Sequence, residues 1–156
     1  MDMHRRISLR PATAADLDRI NSLIQSSAAY SGAYRGIIEG YVVTAGQIER
    51  DHMVVAEHEG QLLGLYSLVT DGVPELDLMF VADEAQGLGI GALLFEDMRR
   101  TASSLGLAHV MIVSHPPSVG FYERMGAVRR GIKPPSGKVA WERPVLELSL
   151  RKAETA

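Results

Sequence analysis

An α/β fold (α+β by some schemes), built as a mixed, mostly antiparallel β-sheet flanked by helices, is what three features of this chain predict. Between Met53 and Val81, apolar residues recur at a period of two in three short runs separated by turn formers. Residues 17–24 and 91–105 instead carry apolar residues at helical spacing. Glycines 87, 89 and 91 sit where the third strand passes into the longer helix. With 156 residues, 46% of them apolar, one packed core and a single domain over 1–156 are expected.

The elements follow in order. Ile7 and Leu9 alternate with polar neighbours before Pro11, as a short strand does. Thr13 to Asp16 has the form of an N-cap box, predicting a helix to about Ala29 with Leu17, Ile20, Leu23 and Ile24 on one face. The segment from Ser26 to Thr44, with three tyrosines and three glycines, reads as a loop with a short helical piece, and Gln47 to Asp51 as a further turn. MVVAEHEGQLLGLYSLV forms two strands around Glu59-Gly60, and PELDLMFV a third after Asp71-Gly72, an antiparallel meander. The helix at 91–105 turns Leu93, Leu94, Met98 and Leu105 inward and ends at Gly106. HVMIVS is a strand, PPSVGFYERMG a helix opened by proline and closed by glycine, and AVRRGI a strand. KPPSGKVAWER is a loop, and PVLELSL the last strand.

Composition narrows the function classes. A net charge of -3 provides no positive field for nucleic acid or an anionic membrane, so neither is an expected partner. The absence of cysteine removes disulfides, thiolate metal sites and a thioester on a protein cysteine. The five histidines show no ligand-like spacing, so no metal is expected. No apolar signal region and no long apolar span is present, and a cytoplasmic location is expected.

The glycine run poses the functional question. The first N–H groups of a helix lack intrahelical partners and lie at its positive end, so a glycine-rich entry can expose them to a diphosphate. A plain strand-to-helix turn would use the same glycines. A P-loop ends GK[ST], whereas this run ends Gly91-Ala92-Leu93. Gly87-x-Gly89-x-x-Ala92 formally matches a dinucleotide fingerprint, but no acid follows near residues 109–114 to hold a ribose. Gln86-Gly87-Leu88-Gly89-Ile90-Gly91 resembles the QxxGxG signature of the Gcn5-related N-acetyltransferase (GNAT) family. The lead-in LDLMFVADEA and Phe121 to Ala127, FYERMGA, are similar to that family's flanking patterns, and the element order is GNAT-like.

The resemblance implies acetyl-coenzyme A as co-substrate, its pyrophosphate on the backbone from Gln86 to Gly91, and no metal. It implies further donor contacts at Phe80 and Val81, the positions nearest a strand bulge that offers a backbone amide. His115 and Ser118 stand where many relatives carry Asn and Ala. A lysine-like ammonium has a pKa of about 10.4, so attack on a thioester needs a base. Glu75 matches a catalytic glutamate of several relatives, with Asp77 or a water as alternatives. Asp77 shares its face only if the strand is regular. Tyr122 matches the family's general acid, a phenol of pKa about 10 able to protonate a thiolate of about 8.5. Phe121 is expected in the core.

Direct transfer in a ternary complex is expected, and the neighbours Ser114 and His115 point apart rather than forming a dyad. Arg99-Arg100 and Arg129-Arg130 read as solvated faces. Tyr30 and Tyr34, with Tyr41, are expected to face the acceptor, a small-molecule amine rather than a protein. The alternative is a non-catalytic acyl-coenzyme A-binding domain. Homodimers are common among similar proteins, and no residue marks an interface here.

Overall fold

The structure, a computed structural model, describes residues 6–27, 38, 40–137 and 139–150. In chain order the elements are β1 (Ser8–Pro11), α1 (Leu17–Gln25), α2 (Ala45–Arg50), β2 (His52–His58), β3 (Gln61–Val69) and β4 (Glu75–Val81). Then come α3 (Ile90–Ser104), β5 (His109–Val113), α4 (Val119–Arg124), β6 (Val128–Lys133) and β7 (Arg143–Ser149). Short 3-10 turns precede α1, α3 and α4.

The strands form one sheet in the order β1-β2-β3-β4-β5-β7-β6, antiparallel except between β4 and β5. The meander turns where Glu59 and Gly60 both take left-handed φ values, 49° and 81°, the geometry a two-residue hairpin with natural twist requires. From Leu62 to Leu68 both alternations of β3 are buried, so the centre of the sheet is covered on both faces. β6, at the far edge, is exposed throughout.

Helix α3 buries Ile90, Leu94, Phe95, Met98 and Ala102. Its approach depends on Gly64, where a Cβ would stand 2.7 Å from the Phe80 carbonyl oxygen and 2.9 Å from Leu94 Cδ1. The hydroxyl of fully buried Tyr66 donates to Asp97 at 2.7 Å and tethers the outer side of the helix to β3.

At the opposite end, the Thr13 N–H donates to Asp16 at 2.8 Å, the expected box. Asp16 is itself buried and receives two N–H groups of Arg10 at 2.9 Å and one of Arg19 at 2.6 Å. These guanidinium hydrogen bonds hold its carboxyl well below the usual range.

Several boundaries differ from the sequence reading. Helix α1 stops at Gln25 rather than about Ala29. The expected turn at 47–51 is a helix, capped by Thr44, whose hydroxyl accepts from the Gln47 N–H at 3.2 Å. Leu105 is 44% exposed, not inward. Gly106 and Leu107 close α3 by bonding back to Ser103 and Ala102, a Schellman geometry that brings Leu107 onto the core instead. Among the described residues no helix is long and apolar enough to cross a membrane.

What positions the site is the junction of β4 with β5. The two pair at the single rung Glu75↔Met111, fastened by the Met111 N–H to the Pro74 carbonyl at 2.9 Å. Beyond it β4 stays with β3 while β5 turns to β7, and the sheet opens between them.

Candidate active site

Two cavities adjoin this opening. Along the first, of about 470 Å³, lie Gln86, Gly87, Gly89, Ile90 and Gly91. Gly87 and Gly89 take φ values of 82° and 78°, which L side chains rarely adopt. The first intrahelical bond runs from the Leu93 N–H to the Gly89 oxygen at 3.1 Å, so the N–H groups of Ile90, Gly91 and Ala92 have no partner within α3. A Cβ on Gly87 would meet nothing within 4 Å, whereas one on Gly91 would stand 3.3 Å from the Phe121 ring. The run therefore divides its labour: the first two glycines shape the turn, and the third admits Phe121. Gln86 donates its amide to the Val81 carbonyl at 3.1 Å and ties the loop to β4. Leu88 is exposed.

The antiparallel ladder decides which β4 amides face the opening. The Ala82 N–H donates to Leu63 at 2.8 Å. Strict alternation then turns the Phe80 N–H toward β3, and those of Val81 and Met79 into the gap. Of the two expected positions, Val81 thus presents its amide and Phe80 does not; Met79 is the one the sequence reading passed over. The bulge on β4 lies at Asp77, where the register shifts between Ser67↔Leu78 and Leu68↔Leu76, not beside Phe80.

The second cavity, of about 340 Å³, holds Glu75, Asp77, Tyr41, Lys133 and Arg143. Both cavities share Met79, Phe80, His115 and Tyr122. Tyr122 is buried, its ring centroid 5.4 Å from that of Phe121 and 6.2 Å from that of Phe95. Its carbonyl accepts from Ala127 at 3.0 Å past Gly126, whose φ is 104°. The MGA end of the motif thus fixes the turn that carries the tyrosine.

His115 is buried, and its Nδ1 lies 3.0 Å from the Ser118 hydroxyl. The Ser114 hydroxyl donates instead to the His115 carbonyl at 2.7 Å, so Ser114 and the imidazole make no dyad.

Burial, then the Asp77 carboxylate, raise the Glu75 pKa, and Lys133 pulls it back. Asp77 keeps a side to solvent on its bulge yet sits recessed; lost hydration and the Asp51 carboxylate raise it, against Arg50. Arg50 itself grips buried Asp51 through two bonds, 2.9 and 3.0 Å. The bulge does not separate the two acids: both line one cavity. Tyr41 accepts from Gln47 at 2.8 Å, and burial raises its pKa. Tyr30 and Tyr34 lie outside the described residues.

Sequence reasoning missed Arg124, which lines the first cavity, and Lys133 and Arg143 in the second. Arg100, Arg129 and Arg130 are solvated as expected, the last two in surface pairs with Glu123 and Glu147, whereas Arg99 is partly covered and lies over the Phe95 ring at 5.4 Å.

Known proteins share this fold. Residues 38–132 match the family described as the acetyltransferase (GNAT) domain. The 5-NmdU N-acetyltransferase of Pseudomonas phage PaMx11 is 37% identical over 75 residues, 46% of this chain and 54% of that protein, so the match spans about half of the relative's length. The ribosomal-protein-S18-alanine N-acetyltransferase from Escherichia coli superposes with a TM-score of 0.72 at 16% identity, over 96% of this chain and 98% of that one. PaiA N-acetyltransferase from Thermoplasma acidophilum, solved in complex with coenzyme A, gives 0.69 at 14% identity, over 92% and 98%. At such identities the likeness is one of fold.

Proposed function

Because the chain belongs to the GNAT acetyltransferase family, we propose that it transfers an acetyl group from acetyl-coenzyme A to a primary amine of a small molecule, both held at once. The observation that carries the reading is the meeting of two cavities at Met79, Phe80, His115 and Tyr122. The phage relative, by its name an N-acetyltransferase, supports nitrogen as the acceptor atom.

The first cavity fits the donor. Helix N–H groups at Ile90, Gly91 and Ala92 without a partner in α3, open space at Gly87 and the Arg124 cation suit a diphosphate. His115 and Ser118 line the same wall. Acetyl-coenzyme A supplies the acetyl group as a thioester. Glu75, its pKa raised toward that of a working base, takes a proton from the acceptor ammonium. Val81 and Met79 offer N–H groups to the negative charge that grows on the carbonyl oxygen. As the C–N bond forms and the C–S bond breaks, Tyr122 gives its phenolic proton to the departing thiolate and is reprotonated, through water, by the second proton that the acylated nitrogen sheds, while Glu75 returns the first to solvent. The second cavity, about 340 Å³, has the size of a small-molecule site.

Calorimetry with acetyl-coenzyme A, followed by thiol release over a panel of amines, tests this. Saturable binding with amine-dependent release is expected. Tight binding with no release from any amine would make the chain an acyl-coenzyme A sensor.

A further inference from the structure

The acceptor cavity carries charge of both signs, on separate walls. Glu75 and Asp77 come from β4, and Lys133 and Arg143 from the β6–β7 hairpin. The two cations stand directly opposite each other on one rung, Lys133↔Arg143. Like charges at that position oppose strand pairing, so the ladder itself gives no reason to keep them.

Arginines on other faces, such as Arg10, Arg50 and Arg130, are each matched to a carboxylate. Among the described residues, neither Lys133 nor Arg143 makes a salt bridge. Arg143 spends one nitrogen on the Ser136 hydroxyl at 3.2 Å and, at 3.5 Å, on the Pro134 carbonyl, while its Nε is buried without a hydrogen-bond partner among the described residues. The hairpin loop thus orients the guanidinium, and no carboxylate among the described residues pairs with it. A rigid guanidinium beside a flexible ammonium is a pairing suited to an oxyanion.

Resting on the acetyl-transfer reading above, we propose that the acceptor is an amine that also bears an oxyanion, a carboxylate or a phosphate. Lys133 and Arg143 hold the oxyanion, while Glu75 and Asp77 receive the ammonium. The anion site sets which end of the molecule enters first and turns the amine toward Tyr122 and Met79. A neutral amine of equal size leaves both cations unmatched, and a second amine in place of the anion is repelled.

Two matched pairs of probes test this on protein loaded with coenzyme A, so that the donor's own phosphates occupy the first cavity. They are β-alanine against β-alaninamide, and O-phosphoethanolamine against ethanolamine. Binding is titrated by calorimetry, and acetylation of the same probes is followed by thiol release with acetyl-coenzyme A. At least one anionic member is expected to exceed its neutral partner about 10- to 100-fold in affinity or kcat/KM, the size of a charge-assisted hydrogen bond. Which pair shows the larger ratio assigns carboxylate or phosphate.

In Lys133→Met and Arg143→Met the ratio is expected to fall toward unity, chiefly through KM, with partial recovery in Arg143→Lys. Unaltered coenzyme A affinity certifies that each variant is folded. Equal behaviour of both members of both pairs in the unmodified protein overturns the proposal without any variant, as does a preference that survives both substitutions. Failure to bind coenzyme A would instead remove the acetyl-transfer reading, and the same titrations on unloaded protein would then decide the anion site alone.

Discussion

At Glu75 three influences meet: burial and Asp77 push its pKa up, and Lys133 draws it down. As the proposed base Glu75 must be ionised, so kcat/KM should fall as pH drops through this raised pKa. Removing the neighbouring charge in Asp77→Asn lowers the pKa and should shift that acidic limb to lower pH. Lys133→Met should shift it to higher pH, and Glu75→Gln should erase it. Steady-state pH profiles check all three, and a limb that ignores both neighbours would mean another group is the base. Tyr122→Phe should lower kcat by about 10²- to 10⁴-fold, with acetyl-coenzyme A affinity little changed by calorimetry. Gln86, Glu75 and Tyr122 are legible in the sequence because each lies in or near a contiguous signature. Lys133 and Arg143 are not, since only the β6–β7 register brings them onto one rung. The choice of Val81 over Phe80 as the presented amide likewise needs the phase of hydrogen bonding along β4, which side-chain pattern does not carry.

For the elements, the seating of α3 on β3 is the contact on which the glycine loop depends. Gly64→Ala drives a methyl group to 2.7 Å from the Phe80 carbonyl, which is backbone and cannot swing aside. A loss of about 1–3 kcal/mol in urea unfolding is expected, together with weaker coenzyme A binding as the start of α3 is displaced. Replacing Gly89, whose φ is 78°, with valine should abolish coenzyme A binding while leaving most of the fold; unchanged affinity would remove the donor-site assignment. Periodicity finds the long elements: the meander and α3 extend over enough residues for one period to dominate. It fails at α2, six residues long, where the Thr44 cap carries the information. It fails also at Leu105, which keeps the helical phase of Met98 but falls at the cap, where Gly106 reverses the chain and Leu107 takes the burial.

Across the whole molecule, acid sensitivity should follow Asp16, which joins β1, α1 and, through Arg10 and Glu57, β2. Its folded pKa is depressed, so its stabilisation is complete above the unfolded carboxylate value and is lost as pH falls toward the folded one. Asp16→Asn should cost about 1–3 kcal/mol near neutral pH, less than a fully buried pair because both arginines remain partly in solvent, and should flatten the acid limb of a stability-versus-pH curve. The fold class and strand order of a meander are legible in the chain because neighbours in sequence pair in space. The opening between β4 and β5 is not, because it arises from partners distant in sequence, with β7 inserted beside β5. That opening, with a cavity to either side and Tyr122 on their common wall, has a kinetic consequence. In the proposed ternary complex neither reactant has to leave before the other arrives, and each product can retreat the way its parent came. Initial velocities should give intersecting double-reciprocal lines, and coenzyme A should compete with acetyl-coenzyme A but not with the amine.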